Sequence, residues 1–189
     1  MREKNRQKML GYPDWAQKKW WVTPHKSMLS EYLKVLIGIK INIPNISARI
    51  HEVSTVMAFP YLNFLVFKDG RTIKDDVNPT PREGPDIEVK GVTSEGQNCI
   101  YRAEIITNFS FKHYVEVDKL RKDVDKLIQS KANRKFLVVL FENLVEEARR
   151  KCKSRKKNPI DLQQHNIEVL SIEKISGSSL LGPEENHEG

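Results

Sequence analysis

A short and almost unbroken apolar run, Lys135–Phe141 (KFLVVLF), constrains the fold of this chain more than any other segment. The run has the length of a strand, and a strand without polar alternation is typical of a sheet that is covered on both faces. An amphipathic helix is predicted before it, over Tyr114–Ser130, and a basic helix after it, over about Asn143–Cys152. The pattern therefore predicts an α/β fold in which helices flank a mixed central sheet.

A second segment, Asp86–Val92 (DIEVKGV), alternates between charged and apolar residues as a half-buried strand does. Alternation places its three charged residues on one face: Asp86, Glu88 and Lys90. A polar turn, Ser94–Asn98, separates this segment from a second strand pattern, Cys99–Thr107. The two strands are predicted to pair as an antiparallel hairpin.

The remaining elements are predicted from local patterns. Helical patterns cover Ser27–Lys34 and the segment from Ile46 to just before Pro60, whereas Val35–Ile43 fits either a helix or a strand. Strand patterns cover Tyr61–Phe67, which a turn at Lys68–Arg71 follows, and Ile167–Ile175. From Ile46 onward the predicted order is therefore helix, three strands, helix, strand, helix and strand.

The length of 189 residues suits one domain with an appended arm. The predicted organisation is a basic, Trp-rich arm over 1–25, an α/β domain over 26–175 and a flexible acidic tail over 176–189. Two cysteines exclude a disulfide scaffold, and no apolar run approaches the roughly 20 residues that a membrane helix needs. Because the N-terminus also lacks the apolar region of a secretory signal, an intracellular, cytoplasmic protein without membrane contact is expected.

Basic residues are unevenly distributed in this chain, whose 32 Lys and Arg against 25 Asp and Glu give a net charge of +7. Seven of the nine residues over Arg149–Lys157 are basic, and the N-terminal arm combines lysines with three tryptophans. Two separate basic clusters favour a nucleic-acid partner. The oligomeric state is open, with a homodimer among the alternatives.

A Pro-Asp pair, Pro85–Asp86, opens the first strand of the hairpin, and Glu104 lies in the second strand. With the predicted helix and strand that follow, this arrangement resembles the PD-(D/E)xK nuclease superfamily over roughly Ile46–Phe141. The resemblance implies a restriction-endonuclease-like αβββαβ core and a metal-dependent endonuclease of restriction or resolvase type that hydrolyses DNA, with RNA as an open alternative. It also implies that Asp86 and Glu104 bind Mg²⁺ or Mn²⁺.

The chain departs from the superfamily at the catalytic lysine, because the position two residues after Glu104 is Ile106. Lys90 is predicted to supply the ammonium group instead, since alternation places it on the strand face that bears Asp86. There it would orient the attacking water or stabilise developing charge. Glu88, on the same face, would be an auxiliary acid.

A second assignment of the motif stays open. In it, Glu88 and Lys90 themselves form the ExK sequence, and Asp75 or Asp76 is the earlier acid. That assignment inserts an extra strand before the helix, so the first one is preferred. Lys112, just after the second strand, is the competing ammonium donor.

Basic residues are predicted to contact the phosphate groups of the nucleic acid. They are Arg102, Lys112, Arg149, Arg150, Lys153, Arg155, Lys156 and Lys157. Glu52 matches a position where some members of the superfamily keep an acid near the metal, but it is more typical of a solvated helix residue. The five histidines show no metal-ligand spacing, and each is predicted to lie at the surface.

Three functions compete on these observations. The first is the metal-dependent nuclease, and the second is a non-catalytic nucleic-acid-binding module of the same fold. The third is a protein–protein scaffold that docks through the Trp-rich arm. Salt-dependent binding to DNA would separate the third from the other two, and magnesium-dependent cleavage would separate the first from the second. Nucleotide-dependent chemistry has no support, because no Gly-rich phosphate loop is present.

Overall fold

The computed structural model describes residues 25–39, 46–68, 70–77, 84–107, 109–110, 114–115, 117–154 and 159–177. The helices are α1 (His25–Ile39), α2 (Ile46–Phe67), α3 (Val117–Gln129), α4 (Asn143–Lys153) and α5 (Ile172–Ser176). The strands are β1 (Arg71–Val77), β2 (Ile87–Val92), β3 (Asn98–Ile106), β4 (Phe109–Ser110), β5 (Tyr114–Val115), β6 (Arg134–Val139) and β7 (Ile167–Ser171). The predicted arm and tail lie almost entirely outside the described residues.

Five strands form one sheet in the order β1–β2–β3–β6–β7, and β4 pairs separately with β5. The first three strands are antiparallel, whereas β6 and β7 run parallel to β3. Each parallel connection contains a helix, α3 before β6 and α4 before β7, and these two helices contact each other on one face of the sheet. The predicted α/β class, with a mixed sheet flanked by helices, is confirmed.

Side chains alternate between the two faces of the sheet along each strand, and different helices cover the two faces. On the α2 face, the hydroxyl of Tyr101 donates a hydrogen bond to Asn63 of α2 at 2.7 Å. On the α3 face, Lys126 of α3 donates to Glu104 of β3 at 3.2 Å. β6 is fully buried over Phe136–Val139 between these layers, which confirms that it is covered on both faces.

The predicted strand over Tyr61–Phe67 is wrong, because α2 is a single helix that continues through Pro60. Proline removes one amide donor from a helix, a loss that tertiary packing can offset. α2 contacts the sheet on one side and α1 and α5 on others. A helix that is packed on most sides loses the one-sided apolar pattern of a surface helix, so its aromatic end resembles a strand in sequence.

The length and apolar composition of α2 also differ from the expectation that no segment could cross a membrane. By length and composition alone, Ser47–Phe67 is long and apolar enough to do so. However, 72% of its most apolar window is buried inside the protein. Packing in the core therefore accounts for the apolar surface of α2.

The first strand of the sheet is β1, part of which was predicted to be a turn. It pairs with β2 from Arg71, opposite Val92, to Val77, opposite Ile87, with an irregularity around Ile73. β1 is an edge strand, and most of its residues are exposed. Edge strands commonly carry charged residues that discourage pairing with other chains, so the sequence RTIKDDV lacks a clear apolar alternation.

Gly70 allows the chain to enter β1 in close contact with its neighbours. A Cβ atom at this position would lie 2.0 Å from the carbonyl oxygen of Val92 and 2.8 Å from that of Phe67. Both contacts are with backbone atoms, so the strand or the helix would have to shift to relieve the clash. We expect Gly70→Ala to lower the free energy of unfolding by about 1–3 kcal/mol in urea denaturation. Ser94→Ala, in the exposed β2–β3 turn, should stay within about 0.5 kcal/mol of the wild type, and equal stability of the two variants would contradict the close approach.

The other predicted elements are confirmed with shifted ends. β2 and β3 form the predicted antiparallel hairpin, α3 begins at Val117, and α4 ends at Lys153. The last strand ends at Ser171 rather than Ile175, because the Ser171 hydroxyl accepts a hydrogen bond from the Lys174 amide at 3.1 Å. This bond caps the N-terminus of α5 and so terminates the strand.

Candidate active site

Asp86 and Glu104 lie next to each other across two adjacent strands. The register pairs Ile87 with Ala103, so Asp86, which directly precedes β2, lies beside Glu104 of β3 at the end of this ladder. The backbone amide of Ile105 donates to Asp86 Oδ2 at 2.7 Å, which ties the two strands together at this level. Both carboxylates are buried. The structure therefore brings together the two acids that were predicted to share a site.

Asp86 is held by a second group, from the beginning of α2. His51 Nε2 lies 3.3 Å from Asp86 Oδ2, and the His51 side chain is buried. The prediction that every histidine lies at the surface is therefore wrong for His51. Within the described residues, the polar contacts of Asp86 use Oδ2, which leaves Oδ1 as the oxygen available to a ligand.

Glu104 is fully buried, and two cations contact its carboxylate from different elements. Arg102 donates from Nε and Nη2 to Oε1 at 3.2 and 3.0 Å. Lys126 Nζ donates to Oε2 at 3.2 Å. Arg102 thus lies on the strand face of Glu104, as predicted, but in this structure its guanidinium is engaged by that carboxylate.

Burial is the main reason why the pKa of Glu104 is raised to about 7. The negative charge of Asp86 raises this pKa further, and Asp123 adds a smaller effect in the same direction. Lys126 and Arg102 lower it, but they do not offset the loss of solvation. Carboxylates with a strongly shifted pKa are concentrated at functional sites, although structural ion pairs also shift the pKa of a carboxylate.

Lys126 links Glu104 to a third carboxylate, that of Asp123, which lies one turn earlier in α3. Lys126 Nζ donates to Asp123 Oδ1 at 2.9 Å. The Asp123 side chain is only 5% exposed, and its Oδ2 atom has no hydrogen-bond partner among the described residues. Lys126 itself is 40% exposed, so the ammonium lies between two buried carboxylates at the mouth of the site.

Neither Asp123 nor Lys126 was predicted to belong to the site. Asp123 is buried because it follows Leu120 by three residues and precedes Leu127 by four. Helical periodicity puts these three residues on one face. This spacing is the feature of the sequence that could have identified Asp123 as buried. Lys126 follows Asp123 by three residues, so its side chain can reach the same face of the helix.

Lys90 is not brought to the carboxylate pair. It is exposed and lies opposite Ile100, and the Glu88–Arg102 pair separates it from the level of Asp86 and Glu104. Four residues of β-strand correspond to about 13 Å. The structure therefore does not bring Lys90 to the Asp86–Glu104 pair, and the lysine that contacts Glu104 is Lys126. Alternation along a strand fixes the face of a residue but not its distance from another residue on the same face.

The second assignment of the motif is only partly compatible with the register. Asp76 lies opposite Glu88 on the α3 face, but Asp75 lies opposite Val89, on the other face. Asp76 is exposed and Glu88 is partly exposed. The Asp76–Glu88 pair therefore lies on a more open part of the sheet, where Glu88 is two residues from Asp86 and directly opposite Arg102.

The acid on α2 also departs from its predicted environment. Glu52 was expected to be solvated, but only 4% of its surface is exposed. Arg49 Nη1 lies 3.3 Å from Glu52 Oε2, and burial is the main cause of the raised pKa of Glu52. Glu52 is adjacent in sequence to His51, which contacts Asp86.

The predicted phosphate-binding residues that the structure describes lie in two places, Arg102 beside Glu104 on β3 and three others on α4. Arg149, Arg150 and Lys153 lie on α4, where Arg149 pairs with Glu146 and Lys153 lies 3.7 Å from Asp161. Lys112, Arg155, Lys156 and Lys157 lie outside the described residues. A cavity of about 440 Å³ is lined by the described cations Arg149 and Lys153, together with Arg134 at the start of β6. This cavity is separate from the Asp86–Glu104 pair.

The residues present suit a small divalent cation at the Asp86–Glu104 pair. Mg²⁺ requires oxygen ligands and is commonly held by one or two carboxylates, with substrate oxygens and water completing its shell. A cation would relieve the repulsion that raises the pKa of Glu104. No group of three or more His, Cys, Asp or Glu side chains in the described part of the chain is arranged as a ready-made metal site, so the site would rely on these two carboxylates.

Comparison of the chain with protein-family models, with curated proteins and with solved structures gave no match.

Proposed function

We propose that this chain is a metal-dependent nuclease that hydrolyses phosphodiester bonds of DNA, with a restriction-endonuclease-like core. The observation that carries the proposal is that Asp86, just before β2, and Lys126 of α3 both act on the buried carboxylate of Glu104 in β3. The strand order supports it, because an antiparallel β1–β2–β3 meander is followed by a helix and by a strand parallel to β3. The same three residue types form the superfamily motif, with the lysine supplied here by α3.

In this proposal Asp86 and Glu104 would hold Mg²⁺ or Mn²⁺, which supplies Lewis-acid activation of the phosphate and hydroxide at neutral pH. The hydrogen bond from Ile105 and the contact with His51 fix Asp86 Oδ2 and so orient Oδ1. Lys126 places a positive charge at the edge of the site, where it can orient the attacking water or stabilise the charge that develops on the phosphate. Arg102 fixes the rotamer of Glu104.

Cleavage by the purified full chain tests the proposal. Supercoiled plasmid and branched or flap duplexes should be cut with Mg²⁺ or Mn²⁺ and left intact with EDTA. Asp86→Asn is the matched control, because an asparagine oxygen can still accept the hydrogen bond of Ile105 while the ligand charge is lost. Failure to cut any of these substrates with either metal would contradict the nuclease.

A pair of lysines supports a polyanionic substrate. Lys74 and Lys90 lie directly opposite each other on the α3 face, and both are exposed. Like charges that face each other across two strands repel, so a bound anion would stabilise this arrangement. Lys90 is therefore assigned to substrate binding, about 13 Å along the strand from the level of Asp86.

The double variant Lys74→Gln/Lys90→Gln is expected to weaken DNA binding at all sequences. Each lost phosphate contact reduces the slope of log K against log salt concentration by about 0.9, so the slope should fall by about 2 in total. Fluorescence anisotropy over a salt series measures it. Lys34→Gln/Lys174→Gln removes the same charge from helices on the α2 side of the sheet and should leave the slope within about 0.3 of the wild type. Equal slopes for both double variants would remove the lysine pair from the binding surface.

A non-catalytic nucleic-acid-binding module of the same fold is the second candidate. Both oxygens of Glu104 are already engaged by Arg102 and Lys126, and an internally satisfied carboxylate is also what a lost active site would retain. The cations around the 440 Å³ cavity would then contribute to binding. Salt-dependent DNA binding without metal-dependent cleavage would favour this candidate.

A further inference from the structure

We propose that in the metal-free protein the Lys126 ammonium occupies the Glu104 oxygen that a divalent cation at the candidate active site would bind, and that the cation binds by displacing it. The inference rests on the proposed function, because it takes Glu104 as a ligand of the cation. It assigns Lys126 a role before catalysis, in addition to its role during the reaction.

The position of the ammonium is the first argument. Lys126 Nζ lies 3.2 Å from Glu104 Oε2 and 2.9 Å from Asp123 Oδ1, so it bridges carboxylates from β3 and α3. The two acid side chains are 0% and 5% exposed. A positive charge between two buried carboxylates is in the electrostatic environment that a metal ion requires.

The difference in exposure is the second argument. Glu104 and Asp123 are confined by burial, whereas the Lys126 side chain is 40% exposed. A lysine has a flexible stem and a strongly hydrated head, so its ammonium can leave the carboxylates for water without any change in the fold. The carboxylates would stay in place and become available to an incoming cation.

The balance of charge is the third argument. The negative charges of Asp86 and Asp123 both act on the Glu104 carboxylate. Asp123 Oδ2 has no hydrogen-bond partner among the described residues, although the side chain is buried. A divalent cation brings more positive charge than one ammonium, so it would offset more of the negative charge that these buried acids bring to the site.

A consequence for the reaction follows. As long as Lys126 bridges Glu104 and Asp123, its ammonium is held by these two carboxylates and does not contact the substrate. Cation binding would free it to contact the substrate phosphate or the attacking water. The proposal thus sets an order, in which the cation binds before the lysine becomes available.

The test is the affinity of the full chain for Mn²⁺ in the absence of nucleic acid, read from the signal of free Mn²⁺ in electron paramagnetic resonance. Lys126→Met keeps the length and apolar stem of the side chain but removes its charge. We expect this variant to bind Mn²⁺ at least about tenfold more tightly than the wild type, because no ammonium must be displaced. Lys122→Met, an exposed lysine one turn earlier in α3, is the matched control and should bind like the wild type.

The outcomes separate the inference from the proposed function. If the wild type binds Mn²⁺ and Lys126→Met binds it equally or more weakly, the displacement is wrong and the nuclease stands. If Lys122→Met tightens binding as much as Lys126→Met, general charge explains the effect and the displacement is also wrong. If neither the wild type nor Lys126→Met binds Mn²⁺ at millimolar concentration, both proposals fail. Lys126→Gln, checked for folding by circular dichroism, replaces Lys126→Met if the methionine variant does not fold.

Discussion

Lys126→Met is expected to lower the rate of DNA cleavage by about 10²–10³-fold, the usual cost of removing one well-placed charge stabiliser. The ammonium lies 3.2 Å from Glu104, on the helix that covers the site. The rate should be measured at saturating Mn²⁺, so that a change in metal affinity does not enter the comparison. The loss should then appear in kcat rather than in KM.

Lys90→Met is the comparison that makes this prediction specific. Lys90 is exposed and lies four residues along β2 from Asp86, so its removal should raise KM and leave kcat within a few-fold of the wild type. A Lys90→Met enzyme without activity beside an active Lys126→Met enzyme would restore the assignment made from sequence. It would also show that the lysine of α3 only stabilises the structure.

Glu104→Gln is expected to remove a large pH dependence of stability. The pKa of Glu104 is raised from 4.5 to about 7 in the folded chain, mainly by burial, so the folded state binds the proton more tightly than the unfolded state. A raised carboxyl pKa does not lower the free energy of unfolding below about pH 4.5, where Glu104 is protonated in both the folded and the unfolded state. Stability is lost as the pH rises from about 4.5 to about 7, and the full penalty above that is about 3 kcal/mol.

The measurement is the difference in the free energy of unfolding between the wild type and Glu104→Gln at several pH values without metal. The glutamine side chain of the variant cannot ionise, so groups common to both proteins cancel in the difference. Relative to the variant, the wild type should lose stability between pH 4.5 and 7 and then level off. A constant difference across this range would mean that Glu104 ionises in the folded chain as it does in the unfolded one.

Local periodicity was sufficient to predict the middle of the sheet. β2 and β3 alternate, a short turn fixes their register, and β6 is apolar because both its faces are covered. The two errors lie where tertiary context overrides the local pattern. α2 is apolar on most sides because it is packed on most sides, and β1 is polar because it lies at the edge of the sheet.

The same distinction applies to the candidate site. Asp86 and Glu104 could be predicted because they lie on two strands of one hairpin, whose pairing follows from adjacent segments. His51 and Lys126 come from helices, and their contacts depend on how α2 and α3 pack against the sheet. No periodicity within a strand contains that information. Lys90 was assigned to the site because its strand face was known but its distance from Glu104 was not.

A Mn²⁺ soak of crystals of the full chain, with anomalous diffraction recorded near the manganese edge, tests the central claim most directly. The proposal predicts an anomalous peak in contact with Asp86 Oδ1 and the Glu104 carboxylate, with the Lys126 ammonium moved away from Glu104. Crystals of Asp86→Asn should lack the peak. No peak at millimolar Mn²⁺ in the wild type, or a peak only elsewhere on the surface, would contradict a metal-dependent active site at this pair.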